Sequence, residues 1–216
     1  MKLHLILFFL ISLLYSCNSL NDDGNQTESI NNKTKTQEKL SLIIQPFEGL
    51  PVSTANSVAD QLKEIYSGDI IIKNSIQLPP KAFNFKKKRY RADSLIRYLG
   101  TFVKDGQLII GLTSKDISAT KGGNPDYGIM GLGFCPGRSC IASTYRLKGK
   151  NSLKKLFKVA IHELGHTQGV AKTKTKHCPD KTCLMRDMEG KDHWDELKDF
   201  CSKCKPVLIK AGLKLK

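Results

Sequence analysis

The sequence predicts an α/β fold, because two kinds of segment alternate along most of its length. Short β-rich apolar runs predict buried strands, and the segments between them repeat apolar residues at helical spacing. The tail from residue 170 is instead rich in cysteine and irregular. With 216 residues, the chain is long enough for one domain with a substantial core. We therefore expect a sheet packed on helices, followed by a small irregular lobe.

The boundaries of the elements follow from the residues that begin and end them. Capping residues at the start of an apolar-periodic segment predict a helix N-terminus, and glycine predicts its end. Turn-forming residues at 114–128 predict a long loop. The predicted strands are 40–47, 68–76, 105–113, 129–134 and 140–147, and the predicted helices are 53–66, 92–99, 151–169 and a short one within 193–204.

The N-terminal segment predicts export and attachment to a membrane. Residues 1–16 have the composition of a signal peptide, whose apolar run is too short to span a bilayer. The run ends in "LLYSC", which resembles a bacterial lipobox and makes Cys17 the lipid-bearing residue. An ordinary secretory signal with an incidental cysteine is the alternative. The polar residues 17–40 predict a flexible tether, so we expect a lipoprotein on the periplasmic or cell-surface side of a bacterial envelope.

The formal net charge of +15 and the pI of about 9.5 describe a strongly basic chain. Such a charge suits nucleic acid, an anionic membrane surface or an acidic substrate. The lysines are scattered, with small clusters at 85–91 and 172–176, and exported proteins rarely meet nucleic acid. We therefore expect a solvated basic surface and no nucleic-acid partner. We also expect a monomer. A nucleic-acid-binding zinc module is the competing class of protein.

The segment "HELGH" within the helix at 151–169 carries the chemistry. Residues four apart share a helix face, so His162 and His166 can present imidazoles to one metal ion. Glu163 lies beside them, as in the H-E-x-x-H pattern of zinc metallopeptidases. Zinc lowers the pKa of bound water to about 7, and the glutamate accepts the proton. The helix is otherwise apolar, and burying these polar side chains would be costly without a metal.

Several residues compete to complete this site. Gly169 occupies the position at which the metzincin pattern turns to bring in a third histidine three residues later. Lys172 holds that register, but a protonated ammonium group has no lone pair for zinc. The remaining candidates are His177, His193, Glu189 and Glu196.

Four cysteines with metal-ligand spacing follow this region, in "HCPDKTCLM" and "CSKC". Together with "HELGHTQG", these segments resemble the archaemetzincin family of metzincin-clan peptidases, with a five-residue insertion before the third histidine. The upstream segments "LPPKAFNFKKKRYRADSLIRYL", "LIIGLTSKDI" and "GRSCIASTYRL" also resemble the family. The likeness extends over about residues 41–206.

The resemblance implies a zincin-like domain at 41–216, in which a mixed sheet packs on the active-site helix and zinc stabilises a lobe at 170–216. It also implies a peptide or protein substrate and two zinc ions. The implied residues are His162, His166 and His177 for the catalytic zinc, Glu163 as general acid and base, Met185 beneath the metal, and Cys178, Cys183, Cys201 and Cys204 for the structural zinc. The alternative is a zinc-binding protein whose altered loop has ended catalysis.

Cys135 and Cys140 lie outside the motif, in "CPGRSC". An exported compartment permits disulfides, so we expect a local disulfide between them. Two reduced thiols are the alternative.

Overall fold

The computed structural model describes residues 40–170, 177–188 and 191–216. The predicted signal peptide, Cys17 and the tether as far as residue 39 lie outside these ranges. Within the described ranges, no helix combines the length and the apolar composition needed to cross a bilayer.

Within the described residues, nine strands form two sheets. In chain order they are β1 (Ser41–Pro46), β2 (Ile70–Ile72), β3 (Phe83–Asn84), β4 (Arg89–Arg91), β5 (Gln107–Thr113), β6 (Ile117–Lys121), β7 (Asn124–Ile129), β8 (Gly131–Gly133) and β9 (Ser139–Ser143). The larger sheet has the order β2-β1-β5-β9-β8. Its first four strands are parallel, and β8 pairs antiparallel with β9 at the edge. Four of the five predicted strands each contain an observed strand, and the fifth, 140–147, overlaps β9, which begins one residue earlier, at Ser139.

The smaller sheet, of order β3-β4-β6-β7, corrects one prediction. Residues 114–128 do not form a long loop, because β6 and β7 pair as an antiparallel hairpin within them. The hairpin turns at Gly122 and Gly123, whose φ angles are 55° and 78°. Positive φ at both central residues matches the twist of the flanking strands, which is why Gly-Gly favours a tight hairpin.

Helices cover both faces of the larger sheet, and the core divides accordingly. The helices are α1 (Val52–Ile65), α2 (Ala92–Gly100), α3 (Ser152–Thr167) and α4 (Lys205–Lys210). Alternate side chains of β1 point to opposite faces of the sheet: Leu42 and Ile44 pack with α1 and α3, whereas Ile43 packs with α2. This alternation, with a period of two residues, is expected of a strand buried on both faces. It places the buried side of α3 against the sheet.

The helix predicted within 193–204 is wrong in extent. Only the single 3-10 turn Trp194–Glu196 forms there, and the next helix is α4. The chain at 197–200 is instead extended because it bonds to the preceding loop: Leu184 N–H donates to the carbonyl of Asp199, and Lys198 N–H donates to that of Thr182. A helix through this segment would break both bonds.

Candidate metal centres and catalytic cleft

His162 and His166 lie one turn apart on α3, and their Nε2 atoms are 3.1 Å from each other. Two nitrogens on one tetrahedral zinc lie about 3.3 Å apart, so this spacing suits a shared ion. His162 is buried, and its Nδ1 lies 2.6 Å from the carbonyl oxygen of Leu184. The Nδ1–H donates there, which leaves Nε2 with a lone pair. Burial, followed by the nearby His166, lowers the pKa of His162 to about 3, so the ring is neutral.

His177 lies beside this pair. One ring nitrogen from each of the three histidines lies within 4.8 Å of the other two. The His177 ring centroid is 5.4 Å from that of His162 and 5.0 Å from that of His166. The carboxylate of Asp187 lies 3.3 Å from its Nδ1, a contact that orients metal-binding histidines. The residues directly before His177, 171–176, lie outside the described ranges.

The other candidates for the third position lie elsewhere or outside the described residues. Glu196 accepts a hydrogen bond from the guanidinium of Arg186, and its second oxygen is 2.6 Å from Nδ1 of His193. In the described chain, the histidine group that could hold a metal includes neither of them. Lys172 and Glu189 fall in the ranges that are not described.

Glu163 is 9% exposed and lies under the edge strand β8. The Gly133 N–H donates to its carboxylate, and burial raises the pKa of Glu163 to about 8. A nearby divalent cation would favour the ionised form, which a general base requires. The approach of β8 requires glycine. A Cβ at Gly133 would lie 2.2 Å from the Glu163 carbonyl oxygen, and one at Gly131 would lie 2.7 Å from the Glu163 Cγ.

Met185 lies directly against α3 and is fully buried. A Cβ on Gly165 would be 2.5 Å from its sulfur, so a glycine within "HELGH" is what lets the methionine approach. The adjacent Leu184 supplies the carbonyl that fixes the His162 ring. The segment after Cys183 therefore supports the histidines both by packing and by a hydrogen bond.

Cys178, Cys183, Cys201 and Cys204 form a second group, with all four sulfurs within 4.8 Å of one another. The sulfurs of Cys178 and Cys201 are 3.6 Å apart, close to the about 3.8 Å that tetrahedral Zn–S bonds impose. The backbone N–H groups of Met185 and Cys201 donate to the Cys183 sulfur. Burial raises the pKa of Cys183 to about 11, so a cation is needed to stabilise a cluster of thiolates. The donor set fits a closed zinc site.

The predicted disulfide between Cys135 and Cys140 does not form, and both are separate thiols. Cys140 faces the core between β9 and α3 and is fully buried, whereas Cys135 is exposed. The inward direction of the Cys140 side chain is set by strand alternation, and it keeps the two sulfurs from pairing.

The histidine group lies between two cavities of about 580 and 910 Å³. His162, Glu163 and His177 line both of them. A ligand extending through both cavities would therefore pass the histidines and the buried carboxylate at its middle.

Comparisons with known proteins agree with this arrangement. The family model described as peptidase family M54 matches residues 40–210. The chain belongs to this family. The M54 chain is 31% identical to the archaemetzincin of Nanoarchaeum equitans over 159 residues, which cover 73% of this chain and 84% of that protein. It is 29% identical to the archaemetzincin of Methanopyrus kandleri over 178 residues, covering 78% and 95% respectively.

The crystal structure of the Methanopyrus kandleri archaemetzincin also matches the fold of the M54 chain. The TM-score is 0.67 at 27% sequence identity, and the match covers 81% of this chain and 96% of that structure. The family membership and this likeness confirm the predicted mixed α/β fold, the resemblance to archaemetzincins and the enzyme class, a zinc metallopeptidase.

Some residues of the M54 site are not indicated by any of the sequence motifs. Asp187 contacts His177, and Trp194 lies with its ring centroid 5.8 Å from that of His162. Lys121 and Tyr127, on the β6–β7 hairpin, line the cavity beside Glu163. In the sequence, the pair Gly122-Gly123 is the one local indication of this hairpin, because two adjacent glycines favour a tight turn. No local pattern marks Asp187 or Trp194, because their roles depend on tertiary contacts.

Proposed function

We propose that this M54 peptidase cleaves peptide bonds at the three-histidine group, with Glu163 as the general base. The observation that carries the proposal is the convergence of His162, His166 and His177 within 4.8 Å, beside a buried carboxylate. The spacing of His162 and His166 suits a shared metal ion. The contact between His177 and Asp187 is of the kind that orients a metal-binding histidine. A peptide or protein chain is the proposed substrate, because the cleft extends on both sides of the group.

The proposed reaction uses water as the nucleophile. A zinc ion on the three histidines would supply a Lewis acid that polarises the scissile carbonyl and acidifies water. The Glu163 carboxylate takes one proton from water as its oxygen bonds to the carbonyl carbon. The same side chain then passes that proton to the leaving nitrogen as the C–N bond breaks. The Gly133 N–H holds the carboxylate in place throughout.

We also propose a second, structural zinc on Cys178, Cys183, Cys201 and Cys204. Four sulfur ligands leave no open position for a substrate, so this ion would stabilise the C-terminal lobe. His177 directly precedes Cys178. A metal on the cysteines would therefore restrain the third histidine whatever path the insertion follows. This restraint disfavours the alternative in which the altered loop abolishes catalysis.

The protein with two equivalents of zinc is expected to hydrolyse members of a mixed peptide library. Removal of the histidine-bound zinc by a chelator should stop hydrolysis, and added zinc should restore it, because the residues alone lack a Lewis acid. Mass spectrometry of the products and metal analysis measure the two quantities. Two bound zinc ions with no cleavage of any peptide would favour the inactive zinc-binding protein instead.

We propose further that the chain is exported and anchored by a lipid on Cys17, because residues 1–17 resemble a signal peptide with a lipobox. Cys17→Ser should move the protein from the membrane fraction to the soluble fraction of a bacterial host and abolish labelling by a fatty acid. Cys135→Ser is the matched control, since this exposed thiol lies within the domain. Membrane retention of the Cys17→Ser protein would contradict the lipid anchor.

A further inference from the structure

The cavity beside Glu163 has a basic lining that the proposed chemistry does not use. Its volume of about 580 Å³ lies within the range of small-ligand sites. Among the described residues that line it, the cations are Arg89, Lys121, Arg146 and Lys191, and the carboxylic residues are Glu163, Asp187 and Asp192. Two of these carboxylates already have partners: Asp187 contacts His177, which lines the same cavity, and Asp192 bonds to Lys155 at 2.7 Å.

Arg146 is held in a fixed orientation in this lining. Its Nε and Nη2 donate to the two oxygens of Asp116, each at 2.9 Å. Asp116 is 9% exposed, so its carboxylate is shielded from water, whereas the Arg146 side chain remains 34% exposed. The N–H groups of Arg146 Nη1 take no part in this bidentate pair. Arg146 therefore offers ordered donors without the entropy cost of fixing a mobile side chain.

Gly128 places the guanidinium at the cavity wall. A Cβ there would lie 2.1 Å from Nη2 of Arg146, so the guanidinium packs directly on the backbone of β7. Gly128 and Arg146 both line the cavity. Any larger residue at this position would displace Arg146 from Asp116 or from the cavity.

The charges of the two arginines in the lining are offset by neighbouring acids. Asp116 and Asp126 lie 3.2 and 3.9 Å from Nε of Arg89, so these two acids offset the charges of Arg89 and Arg146. Lys121 has its ammonium 5.3 Å from the ring centroid of Tyr127, a contact that positions the charge without neutralising it. The lining thus combines the directed N–H donors of Arg146 with the ammonium of Lys121, which forms no ion pair with another described residue.

We infer that this cavity is a subsite for a carboxylate of the substrate, bound by Arg146 and Lys121. The inference rests on the proposed function, because it assigns a substrate class to the same cleft. A guanidinium that keeps free N–H donors is suited to a planar carboxylate, and a nearby ammonium adds attraction. The carboxylate comes either from an acidic side chain or from the C-terminus of a short peptide.

The test uses peptides that differ by one carboxylate. Each peptide with Asp or Glu at a given position is compared with its Asn or Gln counterpart, and each free C-terminus with its amide. We expect the carboxylate form to have a kcat/KM about 10-fold higher, in line with a charge-assisted hydrogen bond. A preference retained on C-terminal amidation assigns the side chain, and one lost on amidation assigns the C-terminus.

Two variants connect the preference to the residues. Lys121→Gln should lower kcat/KM for the carboxylate peptide, chiefly through KM, and so reduce the ratio of kcat/KM between the carboxylate and amide peptides. Arg146→Lys should have the same effect on this preference, because lysine keeps the positive charge but lacks the planar, paired N–H donors of the guanidinium. Lys87→Gln and Arg138→Lys are the matched controls, on the β3–β4 turn and in an exposed pair with Asp105. A preference that survives both cavity variants would overturn the assignment.

Binding measurements separate this inference from the proposed function. The affinity of each peptide for the zinc-loaded Glu163→Gln protein is measured by calorimetry, which needs no turnover. Tighter binding of carboxylate peptides, weakened by Lys121→Gln, supports the subsite even if no peptide is cleaved. Hydrolysis with equal kcat/KM and equal affinity for acid and amide peptides would overturn the subsite and leave the peptidase proposal intact.

Discussion

Glu163→Gln is expected to lower kcat by about 100- to 10,000-fold while leaving the zinc content unchanged. Glutamine keeps the size of the side chain but cannot accept the proton of the attacking water. The histidines are untouched, so metal binding should persist. Peptide hydrolysis and metal analysis on the same preparation measure both effects.

Glu196→Gln is the matched control for this prediction. Glu196 was a candidate ligand in the sequence, but its carboxylate is directed to Arg186 and His193. The same substitution there should leave kcat unchanged. If Glu163→Gln retained activity within about 10-fold of the wild type, another group would have to act as the base.

The same variant has a second readout in the metal-free protein. Burial raises the pKa of Glu163 from 4.5 to about 8, so the folded state binds its proton more tightly than the unfolded state does. This contribution to stability is fully present below pH 4.5 and is lost as the pH rises through 8. Glutamine does not titrate. The Tm of the wild type should therefore fall, relative to that of the variant, between these two pH values.

Cys204→Ser is expected to remove one of two bound zinc ions and to lower the Tm by about 10 °C or more. Structural zinc sites provide about 10–16 kcal/mol of apparent binding free energy in small domains, and about 1 kcal/mol shifts the Tm of a domain this size by about 2–4 °C. Cys204 is buried, so no water readily replaces its thiolate. Metal analysis and thermal unfolding measure the two changes.

Loss of the cysteine-bound zinc should also weaken binding of the catalytic zinc. His177 precedes Cys178, so an unrestrained lobe would no longer hold the third histidine near His162 and His166. We expect weaker binding of the remaining zinc in competition with a chelator. Cys135→Ser replaces an exposed thiol outside both groups and should change neither the stoichiometry nor the Tm. Two zinc ions in the Cys204→Ser protein would contradict a four-cysteine site.

The main features of the fold could be predicted because they depend on local periodicity. β1 and β5 are buried on both faces and appear as continuous apolar runs, and α3 carries a stripe that begins at a recognisable boundary. The β6–β7 hairpin was missed because its strands alternate weakly and contain polar residues. The extended chain at 197–200 was missed because its bonds are to a loop distant in sequence, at 182–184.

The residues of the candidate site likewise fall into two groups, those set by local sequence and those set by contacts between distant segments. His162, Glu163 and His166 follow from helix geometry alone, since residues at positions i, i+1 and i+4 are fixed by the helix. Prediction of His177 needed the family resemblance, and its place beside the pair depends on the lobe. Lys121, Arg146 and Asp187 could not be predicted, because strand pairing and loop packing bring them to the cleft from three separate segments.

The contact between Met185 and Gly165 has a consequence for oxidative damage. Oxidation adds an oxygen to the methionine sulfur, and the product is larger and more polar than the thioether. Met185 is fully buried, with its sulfur against α3, so the folded protein has no room for a sulfoxide there. Met130 lines the cleft and is only partly buried, so it should react with peroxide first. Sulfoxide at Met185 would therefore record that the lobe had opened.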